Sequence, residues 1–306
     1  MVRLQKSVEL SDYCRTAAKI LNSVLETASL DRRIGLDHTA GVRIRVQEQQ
    51  RMSRLDKLAS KLRKQVVEAS GEFDLLEEGD HVLVCLSGGK DSHTMLSLLL
   101  DIQKRAPFAF ELTAFHLDQK QPGYPEGVME DYLASIEVPH RVIGQDTYSV
   151  VQEKLPEWAT PCSLCSRMRR GIIYANAREL GCNKVALGHH RDDSIETLLM
   201  NLFHSGRMQA MPAIFTNDEG DLDVIRPLIY LAEDEIAEYA ELMDYPIIPC
   251  TLCGSTQTQR DFVKELLDDL EGEIPQIRGN IMAAIGNVKT SHLMDRGVEA
   301  VGEEIE

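Results

Sequence analysis

The stretch His81-Val82-Leu83-Val84-Cys85-Leu86-Ser87-Gly88-Gly89-Lys90-Asp91-Ser92 decides how this chain folds. A short apolar run bounded by Gly79 and Gly88 reads as a buried strand. Residues 92–102 then read as an apolar helix. A strand that passes through a glycine turn into a helix leaves the first helical N–H groups unpaired, at the positive end of the helix dipole. The two glycines let the backbone approach a ligand closely. Together these features make an anion site suited to phosphate. Lys90 adds a mobile positive charge, and Asp91 is the kind of carboxylate that Mg²⁺ takes alongside phosphate oxygens. The motif is neither GxxxxGK[ST] nor GxGxxG.

On either side the pattern alternates. Upstream, residues 46–70 read as a basic helix with Leu55, Leu58 and Leu62 on one recurring face. Downstream, strands are expected at 112–117, ending at Asp118, then at 141–143, at 184–187, stopping at Gly188, and at 224–226. Helices are expected at 126–136, 166–180, 233–243 and from Asp193 onward. For that last helix, Asp193 is the expected N-cap, with Glu196 reaching back. Ile195, Leu198, Leu199 and Leu202 form its expected core face. Strands alternating with helices predict a parallel sheet covered on both faces, with ligands beyond the carboxyl ends of the strands. The glycine turn, Asp118 and the 188–193 segment all lie at such ends.

Of the seven cysteines, four fall in two CxxC pairs, Cys162 with Cys165 and Cys250 with Cys253. The amino terminus has no secretory pattern, and no apolar run reaches membrane-spanning length, so a cytoplasmic protein is expected. In that reducing compartment, paired cysteines point to metal or sulfur chemistry rather than disulfides. Spacing alone leaves a four-thiolate zinc site, an iron–sulfur cluster and a redox pair open. The net charge of −16 argues against nucleic-acid binding as a bulk property. Locally, however, residues 41–64 carry eight Lys and Arg against Glu48 and Asp56. Arg167, Arg169 and Arg170 follow the first CxxC.

The hexapeptide SGGKDS (87–92) resembles the signature of the PP-loop ATP pyrophosphatases, which adenylate a substrate oxygen. More of the chain, from about Leu55 to Asp295, resembles the tRNA 2-thiocytidine synthetase family. The stretches that carry this are CSLCSRMRRGIIY (162–174), ALGHHRDDSIETLLMN (186–201), RPLIY (226–230), PIIPCTLCGS (246–255) and SHLMD (291–295). The resemblance implies a Rossmann-like α/β fold of the adenine nucleotide alpha hydrolase-like PP-loop kind, with helices on both faces; it does not cover residues 1–45, where a helical N-terminal extension is expected. The chain is expected to divide into that extension (1–45), a basic helical segment (46–75), a PP-loop thiolase domain with an iron–sulfur site (76–260), and a C-terminal helical segment with an acidic tail (261–306).

The resemblance also implies ATP, Mg²⁺ and a [4Fe–4S] cluster as cofactors, and thiolation of cytidine 32 in tRNA. Its cluster ligands, carried over, are Cys162, Cys165 and Cys253, with Cys250 outside the set. The expected nucleotide site is Ser87, Gly88, Gly89, Lys90, Asp91 and Ser92, joined by Asp118, Gly188, His189 and Asp193. Lys90 and Asp91 are the expected catalytic pair, Asp91 also the Mg²⁺ ligand. Arg167, Arg169 and Arg170 are expected on the tRNA. A cysteine desulfurase is the expected sulfur donor, and a homodimer is the family's habit. Two other readings compete: a superfamily amidase or ligase acting on a small molecule with structural zinc, and a non-catalytic RNA-binding or redox-sensing protein.

Overall fold

A computed structural model describes residues 38–154, 162–248 and 259–293, with side chains from residue 47 onward and without those of 162 and 163. The chain order is α1 (His38–Phe73), β1 (His81–Leu86), α2 (Lys90–Gln103), β2 (Glu111–Asp118), α3 (Val128–Ser135), β3 (His140–Gly144), α4 (Tyr148–Lys154), α5 (Cys162–Glu179) and β4 (Lys184–Ala186). It continues with α6 (Arg191–Met200), a π-helical turn (Asn201–Ser205), β5 (Ile214–Thr216), β6 (Asp223–Ile225), α7 (Glu233–Met243), α8 (Gln259–Glu273) and α9 (Ile277–Gly286).

The strands form one sheet in the order β3-β2-β1-β4-β6-β5. Every pairing is parallel except the last, where the edge strand β5 runs antiparallel to β6. β5 was not expected from the sequence. The strand order reverses at β1, which lies between β2 and β4. That reversal opens a crevice beyond the carboxyl ends of β1 and β4, where such sheets hold ligands.

Both faces are covered, as the alternation of side chains along β1 requires. Val82, Val84 and Leu86 point into one cluster, with Leu58, Leu62, Val66 and Ala69 of α1, Met95 and Leu99 of α2, and Ile236 and Tyr239 of α7. Leu83 points the other way, joining Phe115, Val185 and the α5 residues Ile173 and Ala177. Fully buried side chains such as Leu62 and Leu99 each contribute about 1.5–3 kcal/mol by leaving water.

Helix α1, described over His38–Phe73, runs through the expected division at residue 45/46. Leu58 and Leu62 are buried and Leu55 packs against the core, as expected. Four of its basic residues, Arg51, Arg54, Lys61 and Arg63, reach partners on the protein, although all but Arg63 stay exposed. Arg54 pairs with Glu238 of α7 at 2.5 Å, Lys61 pairs with Glu235, and Arg63 meets Asp101 of α2 at 2.6 Å. Arg51 donates to the Leu242 carbonyl at 2.9 Å. Part of the basic strip on α1 thus pairs with acidic residues of α7.

Helix α6 opens three residues earlier than expected. His190 is its N-cap and Asp193 is the third helical residue, whose Oδ2 accepts the His190 N–H at 3.0 Å. Asp193 therefore performs the reach-back that was expected of Glu196. Ile195 is buried and Leu199 packs beside it, but Leu202 is exposed. It falls in the π-helical turn, where the wider winding rotates the apolar stripe away from the core.

Helices α8 and α9 pack on α6 around Ile195, Val263 and Leu267. Buried Arg278 of α9 fixes them electrostatically, bonding Asp192 at 3.1 Å, Glu271 at 3.0 Å, and Asp268. Among the described residues no helix is long and apolar enough to cross a membrane.

Candidate active site

The 87–89 turn leaves β1 with Gly88 at φ +88°, a left-handed conformation that only glycine adopts without strain. Space imposes the same requirement: a Cβ on Gly88 would stand 3.0 Å from the Cβ of Ile248. The Gly88 carbonyl accepts the Ile248 N–H at 2.9 Å, which fixes the turn from above. Ser92 stabilises it from below. The Ser92 hydroxyl donates to the Gly89 carbonyl at 2.9 Å and accepts the Ser87 N–H at 3.2 Å. Gly89 is the N-cap of α2, with no side chain capping it, so the first N–H groups of α2 face the crevice unshielded.

Gly188, beyond β4, lies against the start of α2. A Cβ there would stand 3.2 Å from the Ser92 nitrogen and 3.3 Å from the Asp91 carbonyl carbon. Glycine at 188 therefore brings the β4 loop onto the phosphate-type loop. It also brings the beginnings of α2 and α6 together at the crevice.

Charges converge on this point. Lys90 Nζ lies 3.0 Å from Asp91 Oδ1 and 3.2 Å from Glu233 Oε1. Burial opposes the Lys90 charge, but Asp91 and Glu233 outweigh it and hold the ammonium above its usual range. Glu233 in turn meets Lys264 of α8 at 2.6 Å. Burial alone would raise its carboxyl, yet Lys264 and Lys90 hold it down at about 2. His190, buried, places Nε2 3.4 Å from Asp193 Oδ2 and 3.8 Å from Asp91 Oδ1. Arg260 of α8 bridges Asp193 Oδ1 at 2.7 Å and Glu196 Oε2 at 3.1 Å. Burial pushes the Glu196 carboxyl up to about 7, against the pull of Arg260. Burial also lowers His189 to about 4, and its Nδ1 has no hydrogen-bond partner among the described residues.

The expected residues Ser87, Gly88, Gly89, Lys90, Asp91, Ser92, Gly188, His189 and Asp193 are thus at the ends of adjacent strands β1 and β4. Asp118 is at the end of β2, next to β1, but its carboxylate is committed: Oδ1 accepts the Lys120 N–H at 2.7 Å and Oδ2 pairs with Lys120 Nζ at 2.7 Å. It shapes the turn after β2. His190, Glu233, Arg260 and Lys264 were not expected. His190 sits inside the quoted GHHRDD run, so the signal was present. Arg260 and Lys264 follow the second CxxC with no motif around them.

Cys165, in the first turns of α5, is half-buried and donates its thiol to Gln119 Oε1 at 3.3 Å. Gln119 follows Asp118, so the first CxxC helix begins over the carboxyl end of β2. Arg169, one turn further, is half-buried and its charge acts on Cys85 of β1 and His116 of β2. Burial raises Cys85 to about 12, and Arg169 works against it. Arg167 and Arg170 are exposed, so the three arginines do not share one face. The side chain of Cys162, and Cys250 and Cys253 entirely, lie outside the described residues. The segment that holds Cys250 and Cys253 leaves from Ile248, on the Gly88 carbonyl, and returns just before Arg260, on Asp193.

Comparison with known proteins adds the family. A model described as the PP-loop domain matches residues 54–248. The tRNA-cytidine(32) 2-sulfurtransferase of Ralstonia nicotianae is 52% identical over 81% of this chain and 83% of its own. The protein of the same name from Methylobacillus flagellatus is 54% identical over 77% of this chain and 79% of its own. Among solved structures, the U34-tRNA thiolase NcsA from Methanococcus maripaludis, with its [4Fe–4S] cluster, superposes with a TM-score of 0.61. It covers 78% of this chain and 80% of its own at 24% identity, a likeness of fold. With more than half its residues in the PP-loop model and such identity to those enzymes, the chain belongs to the tRNA-cytidine(32) 2-sulfurtransferase family.

Proposed function

We propose that the chain activates the C2 oxygen of cytidine 32 in tRNA with ATP and replaces it with sulfur, giving 2-thiocytidine, in the cytoplasm. One observation carries the reading: an anion-binding turn and the start of a CxxC helix stand over neighbouring strand ends of one parallel sheet.

The turn fits a nucleotide's phosphates. Gly88 and Gly89 present bare backbone, and α2 begins with uncapped N–H groups. Lys90 and Asp91 stand at its mouth as a cation and a carboxylate, the latter suited to Mg²⁺. In the proposed first step, the cytidine oxygen attacks the α phosphorus of ATP and pyrophosphate departs. Residues 87–90 and 92 hold that pyrophosphate, and Lys90 offsets the charge that builds on it. A sulfur nucleophile then adds at C2, and AMP leaves with the original oxygen.

The CxxC helix fits a thiolate-bound cluster. The Cys165 sulfur is half-buried beside β2, near the positive end of α5, which favours an anionic ligand. Cys162, Cys165 and Cys253 would hold a [4Fe–4S] cluster, with one iron left for a sulfide or persulfide sulfur. Both flanks of the Cys250–Cys253 segment rest on the site, which supports a ligand from there. Arg167, Arg169 and Arg170 are proposed to meet the anticodon loop. The donor is proposed to be a cysteine desulfurase and the assembly a homodimer. The four divisions expected from the sequence stand as a proposal, with α1 joining the first two.

Nucleosides of tRNA from cells lacking this protein test the function. Mass spectrometry is expected to find 2-thiocytidine gone and restored by the wild-type gene. Persistence of 2-thiocytidine would contradict the proposal.

The ion-pair arrangement gives a finer expectation. Lys90 must leave Glu233 to meet phosphate, and Lys264 competes for the same carboxylate. Lys264→Met removes the competitor and ties Lys90 to Glu233. We expect KM for ATP to rise about two- to fivefold, the scale of one partly exposed ion pair, with kcat little changed. Initial rates of tRNA-dependent pyrophosphate release measure both; an unchanged KM would show that Glu233 does not hold Lys90 back.

A further inference from the structure

Gln119 stands beside the first CxxC helix. It is half-buried, directly after the last residue of β2. Its Oε1 accepts two hydrogen bonds, from the Cys165 thiol at 3.3 Å and from the Thr147 hydroxyl at 3.2 Å. Both backbones are fixed. The Gln119 carbonyl accepts the Tyr148 N–H at 3.3 Å. Fully buried Thr147 donates its N–H to the Gln145 carbonyl at 2.7 Å and accepts the Val151 N–H at 3.0 Å.

A carboxamide carries an oxygen with two acceptor positions and a nitrogen with two hydrogens, and half a turn about its last bond exchanges them. A thiol can donate to the oxygen. A metal-bound thiolate has no proton and can only accept. We propose that Gln119 is the outer partner of Cys165 in the cluster-bearing protein. There its amide is turned so that Nε2 donates one hydrogen to Sγ and the other to the Thr147 hydroxyl. This rests on the reading of Cys165 as a cluster ligand. Glutamate, of the same length, has only acceptors for a thiolate, and an apolar side chain has neither. The amide alone serves the cysteine both free and metal-bound.

Such a donor orients the ligand and offsets the negative charge that reduction adds to the cluster, which raises its potential. Gln119 acts through Cys165, so it is a positioning residue. The test reconstitutes the full-length wild type, Gln119→Met, Gln119→Glu and Thr147→Val anaerobically with iron and sulfide. The midpoint potential and the rate of iron loss to a chelator are then read. Gln119→Met and Gln119→Glu are expected to have more negative midpoints and to hold iron roughly 10–100-fold less well. Thr147→Val is expected to shift both in the same direction by less, since the donor remains and only its orientation is loosened. A wild-type midpoint and wild-type iron retention in either folded Gln119 variant would overturn the proposal. A wild type that takes up no iron, or a Cys165→Ala variant that keeps its iron, would instead remove the ligand reading beneath it.

Discussion

Asp91→Ala is expected to lose thiolation by at least about a hundred- to a thousandfold in kcat while its iron content stays at the wild-type level. The size is that of removing one fixed electrostatic group from a charged transition state. The location makes the two readouts separable. Asp91 is the second residue of α2, paired with Lys90 at 3.0 Å and approached by His190 at 3.8 Å, on the β1 and β4 side of the crevice. Cys165 stands at the end of β2, against Gln119. The carboxylate is about one-third exposed, so its removal leaves no buried cavity and little is lost in stability. Thiolation of purified tRNA with iron and sulfide analysis of the same sample checks the pair of outcomes. Iron lost together with activity would mark Asp91 as a structural residue.

Cysteine replacement has the opposite signature. Cys165→Ala and Cys253→Ala are expected to empty the cluster, because two remaining thiolates hold a cubane poorly, and to abolish thiolation with it. Cys250→Ala is expected to keep most of its iron. Visible absorbance and iron per chain after anaerobic purification decide this. Iron retained in Cys253→Ala but lost in Cys250→Ala would reverse the ligand choice within that pair. Zinc in place of iron in the wild type would replace the chemistry altogether.

The elements at the centre of the sheet were legible because each carries a strong local signal. β1 is a buried apolar run followed by a turn in which position 88 needs glycine. Helix 233–243 matched to the residue, since its apolar spacing and acidic first turn agree with its final packing. The misses have local causes as well. β5 is three residues long and only half-buried at Ile214 and Phe215, too little for a period to register. Asp193 is a strong N-cap type, yet the helix opens at His190 because Asp193 caps from inside the first turn.

Contacts between distant segments were not legible at all. The basic run on α1 was visible in the sequence, but not that two of its residues pair with Glu235 and Glu238 of α7, more than 170 positions away. Lys264 and Arg260 reach the site only because α8 packs on α6, and nothing in their local sequence announces it. The glycine at 188 could be read as the end of a strand. Its role in letting two loops touch needed the neighbouring backbone in view.

A nucleotide and a metal cluster are proposed to meet in one crevice, and diffraction at the iron absorption edge tests that directly. Crystals of the anaerobically reconstituted protein with a non-hydrolysable ATP analogue should show iron bonded to the sulfur of Cys165, facing the analogue's phosphates on the backbone of Gly88 and Gly89. Iron absent from Cys165, or phosphates bound anywhere other than that turn, would contradict it.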